Sequence, residues 1–393
     1  MRIGIYGGSF DPPHLGHRHL AETAINDLLL DQLRILPAGI APHKLPAENT
    51  APSETRLEMC RLAFDDLERV EVSNLEVLRK GPSYTIDTLE EIRRQNPEAR
   101  LVLLLGTDML LTMEQWYRYR QILEMAELAV LPRCSGEDRA LQEACEQLRT
   151  RYGATVTILK GDPLPVSSTE VRRLLPQRKG RELLSPKVYG EIVRRRLYAV
   201  KPDLCWLRET AFPLQDPARL DHVRGCEETA AALALRWGAD AEDAREAAIL
   251  HDLTKKYDLA GQLKLCEKYG IIADTQERTD GRLLHALTSA AVARDLFGCP
   301  DEIVSAIRWH TTGKAGMSLL DKIICLADFI EPTRSFADLS HVRSLAFTDL
   351  DAALLLSLEM TLLSLKRRGI VPHGNTRSAI EDLNRPGEDR DRK

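Results

Sequence analysis

The chain has 393 residues, enough for two or three domains at roughly 150 residues each rather than one core. Apolar residues make up 44% and charged residues 29%, which excludes wholesale disorder, and the longest apolar runs, such as 101–105, fall far short of the ~20 residues a membrane-spanning helix needs. A net charge of −5 excludes a generally basic nucleic-acid coat and leaves room for local basic patches. In the first half, short apolar runs at 2–6, 33–37, 70–73, 101–105, 128–131 and 155–159, each bounded by Gly, Pro or polar residues, predict strands. Amphipathic stretches such as 15–30 and 84–95 lie between most of them. Strand–helix alternation with continuous apolar strands predicts a parallel sheet covered on both faces, with ligands at the carboxyl ends of the strands.

From about Pro217 onward no strand pattern is convincing. The segments 220–237, 241–250, 283–297, 301–309, 319–330 and 350–368 carry apolar residues at i, i+3 and i+4 and predict an all-α second half. The expected organisation is a first domain over 1–199, a linker over 200–216 containing Pro202 and Pro213, and a second domain over 217–375. The segment 376–393 holds five acids and five bases and is predicted to be a disordered tail.

Residues 7–17 read Gly-Gly-Ser-Phe-Asp-Pro-Pro-His-Leu-Gly-His, directly after the first predicted strand and at the opening of a helix. Gly7 and Gly8 let the backbone turn and approach a phosphate closely, and the helix beginning near Leu15 aims its free N–H groups there. His14 and His17, three apart, can face one ligand. Pro42-His43-Lys44 follows the second strand and would aim a cation at a polyphosphate. Pro82-Ser83-Tyr84-Thr85 opens a helix, and Gly106-Thr107-Asp108 follows the fourth strand, with Trp116 eight residues beyond Asp108. Val166-Ser167-Ser168-Thr169-Glu170-Val171-Arg172 starts another helix, with hydroxyls and a guanidinium available for phosphate.

These motifs resemble the H-x-G-H nucleotidyltransferase superfamily and, within it, the nicotinate-nucleotide adenylyltransferases, over about residues 1–197. The resemblance implies an α/β Rossmann-like parallel sheet. It implies transfer of AMP from ATP, with Mg²⁺, to nicotinate mononucleotide, giving nicotinate adenine dinucleotide and pyrophosphate for NAD biosynthesis. By the same resemblance Gly7, Gly8, Ser9, Phe10, Gly106, Asp108, Ser168 and Thr169 would line the nucleotide, Asp108 at a ribose or the mononucleotide. Tyr84, Thr85 and Trp116 would hold the pyridine ring and its carboxylate. Thr107 stands where the family has a small residue. The mononucleotide phosphate is already an anion, so catalysis reduces to positioning and charge neutralisation as its oxygen attacks the α-phosphorus in line. His14, His17, Lys44 and Arg172 are the candidate catalytic groups, with His17 against the α-phosphate. Nicotinamide mononucleotide or a pantetheine phosphate is the runner-up substrate.

Blander readings stand beside these. Alone, Trp116 would be half-buried packing; its spacing after 106–108 favours the site. His19 is expected to be a surface or core residue, and Arg133 is open between a phosphate contact and a solvated loop. The stretch 172–201 carries ten Lys or Arg against two Glu, with only Tyr189 and Tyr198 interleaved. It reads as a solvated face beside a polyphosphate site, not a nucleic-acid platform.

The second half holds six of the ten histidines. His222, His251, His285 and His310, with Asp252 beside His251 and Asp328 in the helix predicted at 319–330, run in the order H…H-D…H…H…D. Each comes from a different helix or helix end, which is how a bundle builds an interior metal site. The pattern resembles the HD phosphohydrolase superfamily, and the two extra histidines, His285 and His310, argue for two metals. Imidazole and carboxylate suit iron, manganese, cobalt or zinc, and the absence of a nearby cysteine argues against a soft structural zinc site. Asp252 could bridge the two ions, which would supply a nucleophile at neutral pH and hold phosphate oxygens.

The surroundings, His251-Asp252-Leu253-Thr254-Lys255, Trp309-His310-Thr311-Thr312-Gly313-Lys314 and Leu326-Ala327-Asp328-Phe329-Ile330-Glu331-Pro332, resemble the YqeK family of HD-domain symmetrical bis(5′-nucleosyl)-tetraphosphatases over about 217–375. This implies an all-α helical bundle hydrolysing diadenosine tetraphosphate to two ADP with two divalent ions, iron first and manganese or cobalt as alternatives. Lys255 is a candidate catalytic cation, and Thr311, Thr312 and Lys314 are candidates for substrate phosphate. Glu331 is expected behind a ligand or at a helix end, and His341 and His373 on the surface. A different nucleotide substrate, or a regulatory or assembly module that kept the fold and lost the chemistry, is the alternative for this half.

The eight cysteines are scattered without a C-x-x-C pair, and the N-terminal apolar stretch breaks at Gly7-Gly8 with no small-residue cleavage site. The expectation is a reduced, cytoplasmic, bifunctional enzyme of small-molecule substrates with neither nucleic-acid nor membrane partner; a homo-oligomer is left open.

Overall fold

The computed structural model describes residues 1–40, 49–132, 138–162 and 164–385. It divides into two compact units, Met1–Lys201 and Pro202–Lys393.

In the first unit six strands pair in parallel: β1 (Arg2–Gly8), β2 (Gln32–Pro37), β3 (Val70–Val72), β4 (Arg100–Gly106), β5 (Ala126–Leu131) and β6 (Val156–Ile158). Their order is β3-β2-β1-β4-β5-β6. The helices are α1 (Leu15–Asp27), α2 (Ser53–Phe64), α3 (Thr85–Gln95), α4 (Thr107–Leu111), α5 (Tyr119–Met125), α6 (Asp138–Tyr152), α7 (Ser168–Leu174) and α8 (Pro186–Arg194). The central strands are apolar on both faces because helices cover both. Ile86, Leu89 and Ile92 of α3 join Ile3, Ile5, Leu101, Leu103 and Leu105 in one buried cluster. Gly4 serves the opposite face: a Cβ there would lie 2.6 Å from Leu30 Cδ1 and 2.8 Å from Leu33 Cδ1. Strand order reverses between β1 and β4, so the loops after these two strands diverge and open a crevice at their carboxyl ends.

The second unit is helical throughout its regular elements: α9 (Leu204–Ala211), α10 (Leu220–Trp237), α11 (Ala241–Leu250), α12 (Leu259–Tyr269), α13 (Gly281–Phe297), α14 (Asp301–Trp309), α15 (Leu319–Ile330), α16 (Leu339–Ala346), α17 (Leu350–Arg367) and α18 (Gly374–Leu383). Side-chain caps explain several boundaries. Asp240 accepts from the N–H groups of Glu242 and Asp243 to start α11, and Ser318 and Asp321 cap each other at the start of α15. One apolar cluster joins α10, α11, α13, α14, α15 and α17.

Two boundary expectations are corrected. The segment 200–216, expected to be a linker, contains α9, whose Leu207 and Ala211 are fully buried in the core of the second unit. Its prolines flank this helix rather than prevent it. Of the segment 376–393, expected to be a disordered tail, residues through Leu383 belong to α18, which buries Thr376 and Ala379; 386–393 lie outside the described residues. Among the described residues no helix is long and apolar enough to cross a membrane.

Candidate active sites

A cavity of about 1000 Å³ opens at the carboxyl ends of β1 and β4. It is lined by Gly7, Gly8, Ser9, Phe10, His14, His17, Tyr84, Thr85, Gly106, Asp108, Trp116, Ser168, Thr169 and Arg172, which are all the described candidates of the first half. Lys44 and Arg133 lie outside the described residues.

The loop after β1 is held from several sides. Phe10 takes a left-handed backbone, φ 48°, and its buried ring packs against Tyr6 and against His17, with centroids 5.2 and 4.8 Å away. The His14 and His17 rings lie 3.7 Å apart, and His17 Nδ1 accepts the His14 backbone N–H at 3.1 Å. The proton of a neutral His17 ring therefore sits on Nε2, a donor suited to an anion. Asp11 is buried; its Oδ1 accepts from the Tyr198 hydroxyl at 2.7 Å and the Ala51 N–H at 3.1 Å. Burial and the Asp11 charge push the Tyr198 hydroxyl far up. Ser168 donates to the Pro12 carbonyl at 2.9 Å, Arg172 donates to the Asp11 carbonyl, and Thr169 Oγ1 accepts from Arg172 at 3.4 Å. These bonds tie α7 to residues 11–12.

Sequence reasoning missed four residues here. Arg56 of α2 is buried and donates to the carbonyls of Ser9, Ala38, Gly39 and Ala51, so one planar fork fixes the phosphate loop and the end of β2. Glu76 is buried and accepts from Thr88 at 2.8 Å; burial raises its carboxyl to about 7. Tyr117 packs its ring 4.7 Å from that of Tyr84. The fourth is Tyr198. Only Tyr117, next to Trp116, carried a signal in the motif pattern.

In the second unit His222 (α10), His251 and Asp252 (end of α11), His285 (α13), His310 (end of α14) and Asp328 (α15) converge. Asp252 stands between two histidine pairs. Its Oδ2 lies 3.7 Å from His222 Nε2 and 3.4 Å from His251 Nε2, and its Oδ1 lies 3.2 Å from His285 Nε2 and 3.9 Å from His310 Nε2. His222 Nε2 is also 3.1 Å from Asp328 Oδ1, and the Nε2 atoms of His285 and His310 are 3.0 Å apart.

The tautomers suit metal ligation. His251 Nδ1 and His310 Nδ1 meet the carbonyls of Ala248 and Ile307 at 2.6 and 2.7 Å. A carbonyl only accepts, so Nδ1 carries the proton and Nε2 offers its lone pair. His251 Nε2 is buried without a hydrogen-bond partner. Fully buried Glu331, at the end of α15, holds His222 Nδ1 at 3.0 Å. Buried lone pairs gathered around two carboxylates are a donor set for divalent cations. Burial opposes the charge on Asp252 and Asp328, yet the surrounding imidazoles, with Arg334 at Asp328, hold both well below the carboxylate range. Burial and the neighbouring imidazoles drive His310 down to about 3.

Cations surround this cluster. Arg219 donates to Asp252 Oδ2 through Nε at 2.9 Å and through Nη2, and Arg334 donates to Asp328 Oδ1 at 2.7 Å. Both escaped the sequence reading, although Arg219 lies one helical turn before His222. Lys255 Nζ is 3.1 Å from His285 Nε2, and burial lowers its pKa. Thr311 Oγ1 is 3.0 Å from His310 Nε2. Thr312 and Lys314 are not brought to the cluster. Thr312 donates to the Gly313 carbonyl, and Lys314 lies 3.3 Å from Asp321 Oδ2, where it neutralises a fully buried carboxylate.

Two further expectations are corrected. A cysteine does lie near: Cys226, one turn along α10 from His222, places Sγ 3.5 Å from His222 Nε2, because residues four apart share a helix face. His373 is not on the surface; it is buried, caps α18 through Nδ1, and holds Asp274 Oδ2 at 2.8 Å through Nε2.

Comparison with known proteins matches the two halves of the chain to different families. Residues 5–174 match the cytidylyltransferase-like family model and residues 219–333 the HD domain model. A "Probable nicotinate-nucleotide adenylyltransferase" of Carboxydothermus hydrogenoformans is 35% identical over 198 residues, covering 50% of this chain and 98% of that protein. One of Gemmatimonas aurantiaca is 38% identical over 205 residues, covering 51% and 94%. Among solved structures, a predicted HD superfamily hydrolase involved in NAD metabolism from Clostridium acetobutylicum is 33% identical, covering 45% of this chain and 94% of that one, with a TM-score of 0.44.

Proposed function

We propose, for a chain that belongs through its N-terminal half to the nicotinate-nucleotide adenylyltransferase family and carries an HD domain in its C-terminal half, an enzyme with two activities. The first unit joins ATP, delivered with Mg²⁺, to nicotinate mononucleotide. The convergence of the β1 loop, the start of α3, Trp116 and the start of α7 on one cavity carries this reading. Tyr84, Thr85 and Trp116 would hold the pyridine end, and Ser168, Thr169 and Arg172 the polyphosphate. His17, with its proton on Nε2, would donate to the α-phosphate as charge builds there, and His14 would support the same oxygens. Pyrophosphate release with the acid and amide mononucleotides tests it; equal or better use of the amide would overturn the substrate assignment.

The second unit hydrolyses a dinucleoside polyphosphate, diadenosine tetraphosphate to two ADP. The division of the Asp252 oxygens between two histidine pairs carries this reading, because a carboxylate so placed can serve two cations. Two divalent ions held by His222, His251, Asp252, His285, His310 and Asp328 would activate water and polarise the phosphate; iron, manganese or cobalt fits the donors. Lys255 and Thr311 would meet phosphate oxygens beside His285 and His310. Incubating the metal-loaded protein with diadenosine tetraphosphate tests the assignment. ADP alone is the expected product; AMP plus ATP would reject symmetrical cleavage, and no product would favour another nucleotide or a regulatory module.

A further inference from the structure

We propose that Cys226 is a thiolate ligand of the metal held at the His222 end of the HD site, giving that position a mixed nitrogen, oxygen and sulfur donor set. The inference rests on the reading of this cluster as a metal site. Ligand atoms of His222, Cys226, His251 and Asp328 all lie within 4.8 Å of one another. Cys226 Sγ is 3.5 Å from His222 Nε2, and His222 Nε2 is 3.1 Å from Asp328 Oδ1. A tetrahedral ion with a sulfur at ~2.3 Å and a nitrogen at ~2.0–2.1 Å sets those two donors about 3.5 Å apart.

Three further observations point the same way. His222 and Cys226 are four residues apart on α10, the spacing at which two side chains of one helix can share an ion. The buried Nε2 of His251 has no hydrogen-bond partner, and its Nδ1 is committed to Ala248, so a lone pair is aimed at the same place. Glu331 grips Nδ1 of His222 and fixes that ring with Nε2 toward Asp328 and Cys226. On coordination the sulfur–metal bond forms and the thiol proton leaves to solvent. A thiolate biases the position toward zinc, cobalt or iron over manganese or magnesium, whereas the position at His285 and His310 keeps hard and borderline donors.

Cobalt(II) is the probe. The full-length protein, stripped of metal and titrated with cobalt, should show visible ligand-field bands together with a near-ultraviolet sulfur-to-cobalt charge-transfer band. In Cys226→Ser and Cys226→Ala the charge-transfer band should vanish while the ligand-field bands remain. Zinc affinity should fall about tenfold or more in these variants, and manganese affinity should change less than about threefold. Ligand-field bands without charge transfer in the wild-type protein would overturn the sulfur ligand and leave the metal site standing. No cobalt uptake at all would overturn the metal reading itself. Zinc-edge X-ray absorption of the wild-type protein needs no variant: a sulfur scatterer at about 2.3 Å is expected, and a shell of nitrogen and oxygen alone overturns the proposal.

Discussion

Arg56 and Glu76 show how single buried polar residues hold the adenylyl-transfer cavity in shape. Arg56 donates to four carbonyls, those of Ala51 and Ala38 in fully buried bonds. Arg56→Ala should therefore destabilise the first unit by about 2–4 kcal/mol and lower adenylyl transfer, measured by denaturant unfolding and pyrophosphate release. Glu76 behaves differently. Burial lifts its carboxyl from 4.5 to about 7, so between those pH values the folded chain keeps a proton that the unfolded chain has lost. Stability of the first unit falls as pH rises through that window and stays lower above it, by up to about 3 kcal/mol. Glu76→Gln can still accept from Thr88 and should flatten this decline; a thermal-unfolding series from pH 5 to pH 8 with the wild-type slope unchanged would rule out Glu76 as its source.

At the scale of elements, periodicity and caps made most of the architecture legible. The strand at 101–105 is an apolar run and the one at 33–37 is apolar apart from Arg34, while Leu220–Trp237 and Leu319–Ile330 carry clear apolar stripes. The elements missed are those whose reason lies elsewhere in the chain. Around α9 the prolines suggested a linker, but Leu207 and Ala211 face a core supplied by α10 and α11. The stretch that forms α18 has few apolar residues, Ala379, Ile380 and Leu383, which join the core, and His373 caps it and reaches back to Asp274, 99 residues away. His373→Ala should cost about 1–2 kcal/mol and raise amide exchange across α18 before the rest of the second unit, a difference hydrogen exchange would resolve. Site residues follow the same rule. Motif residues such as His14, Asp108 and Asp252 were readable, because their chemistry demands a residue type at a spacing. Arg56, Tyr198, Arg219 and Arg334 were not, because each is defined by the partner it meets in space. Lys314 shows the opposite case: the structure sets its ammonium against buried Asp321 rather than at the cluster.

For the whole molecule, two separate cores imply that the two proposed activities are separable. His251→Ala should reduce polyphosphate hydrolysis at least about 100-fold and leave adenylyl transfer within about twofold, since the two reactions draw on different units. His17→Ala should do the reverse. Chelation followed by dialysis should likewise silence hydrolysis, with manganese, cobalt or ferrous iron restoring it; hydrolysis that survives chelation would contradict the metal reading. Each pair of rates is to be measured on one preparation, so that loss of folding is distinguished from loss of chemistry.

On the proposed two-cation reading, the single carboxylate of Asp252, placed between two histidine pairs, would make the two loading equilibria a linked system. The first cation to bind would neutralise much of the negative charge that attracts the second, and the two cations would repel each other across the same side chain. Loading should be anticooperative, with a tight step and a weaker one. A protein built this way would report the free metal concentration of its surroundings, because its hydrolytic rate would follow the weaker step while the tighter one stayed filled.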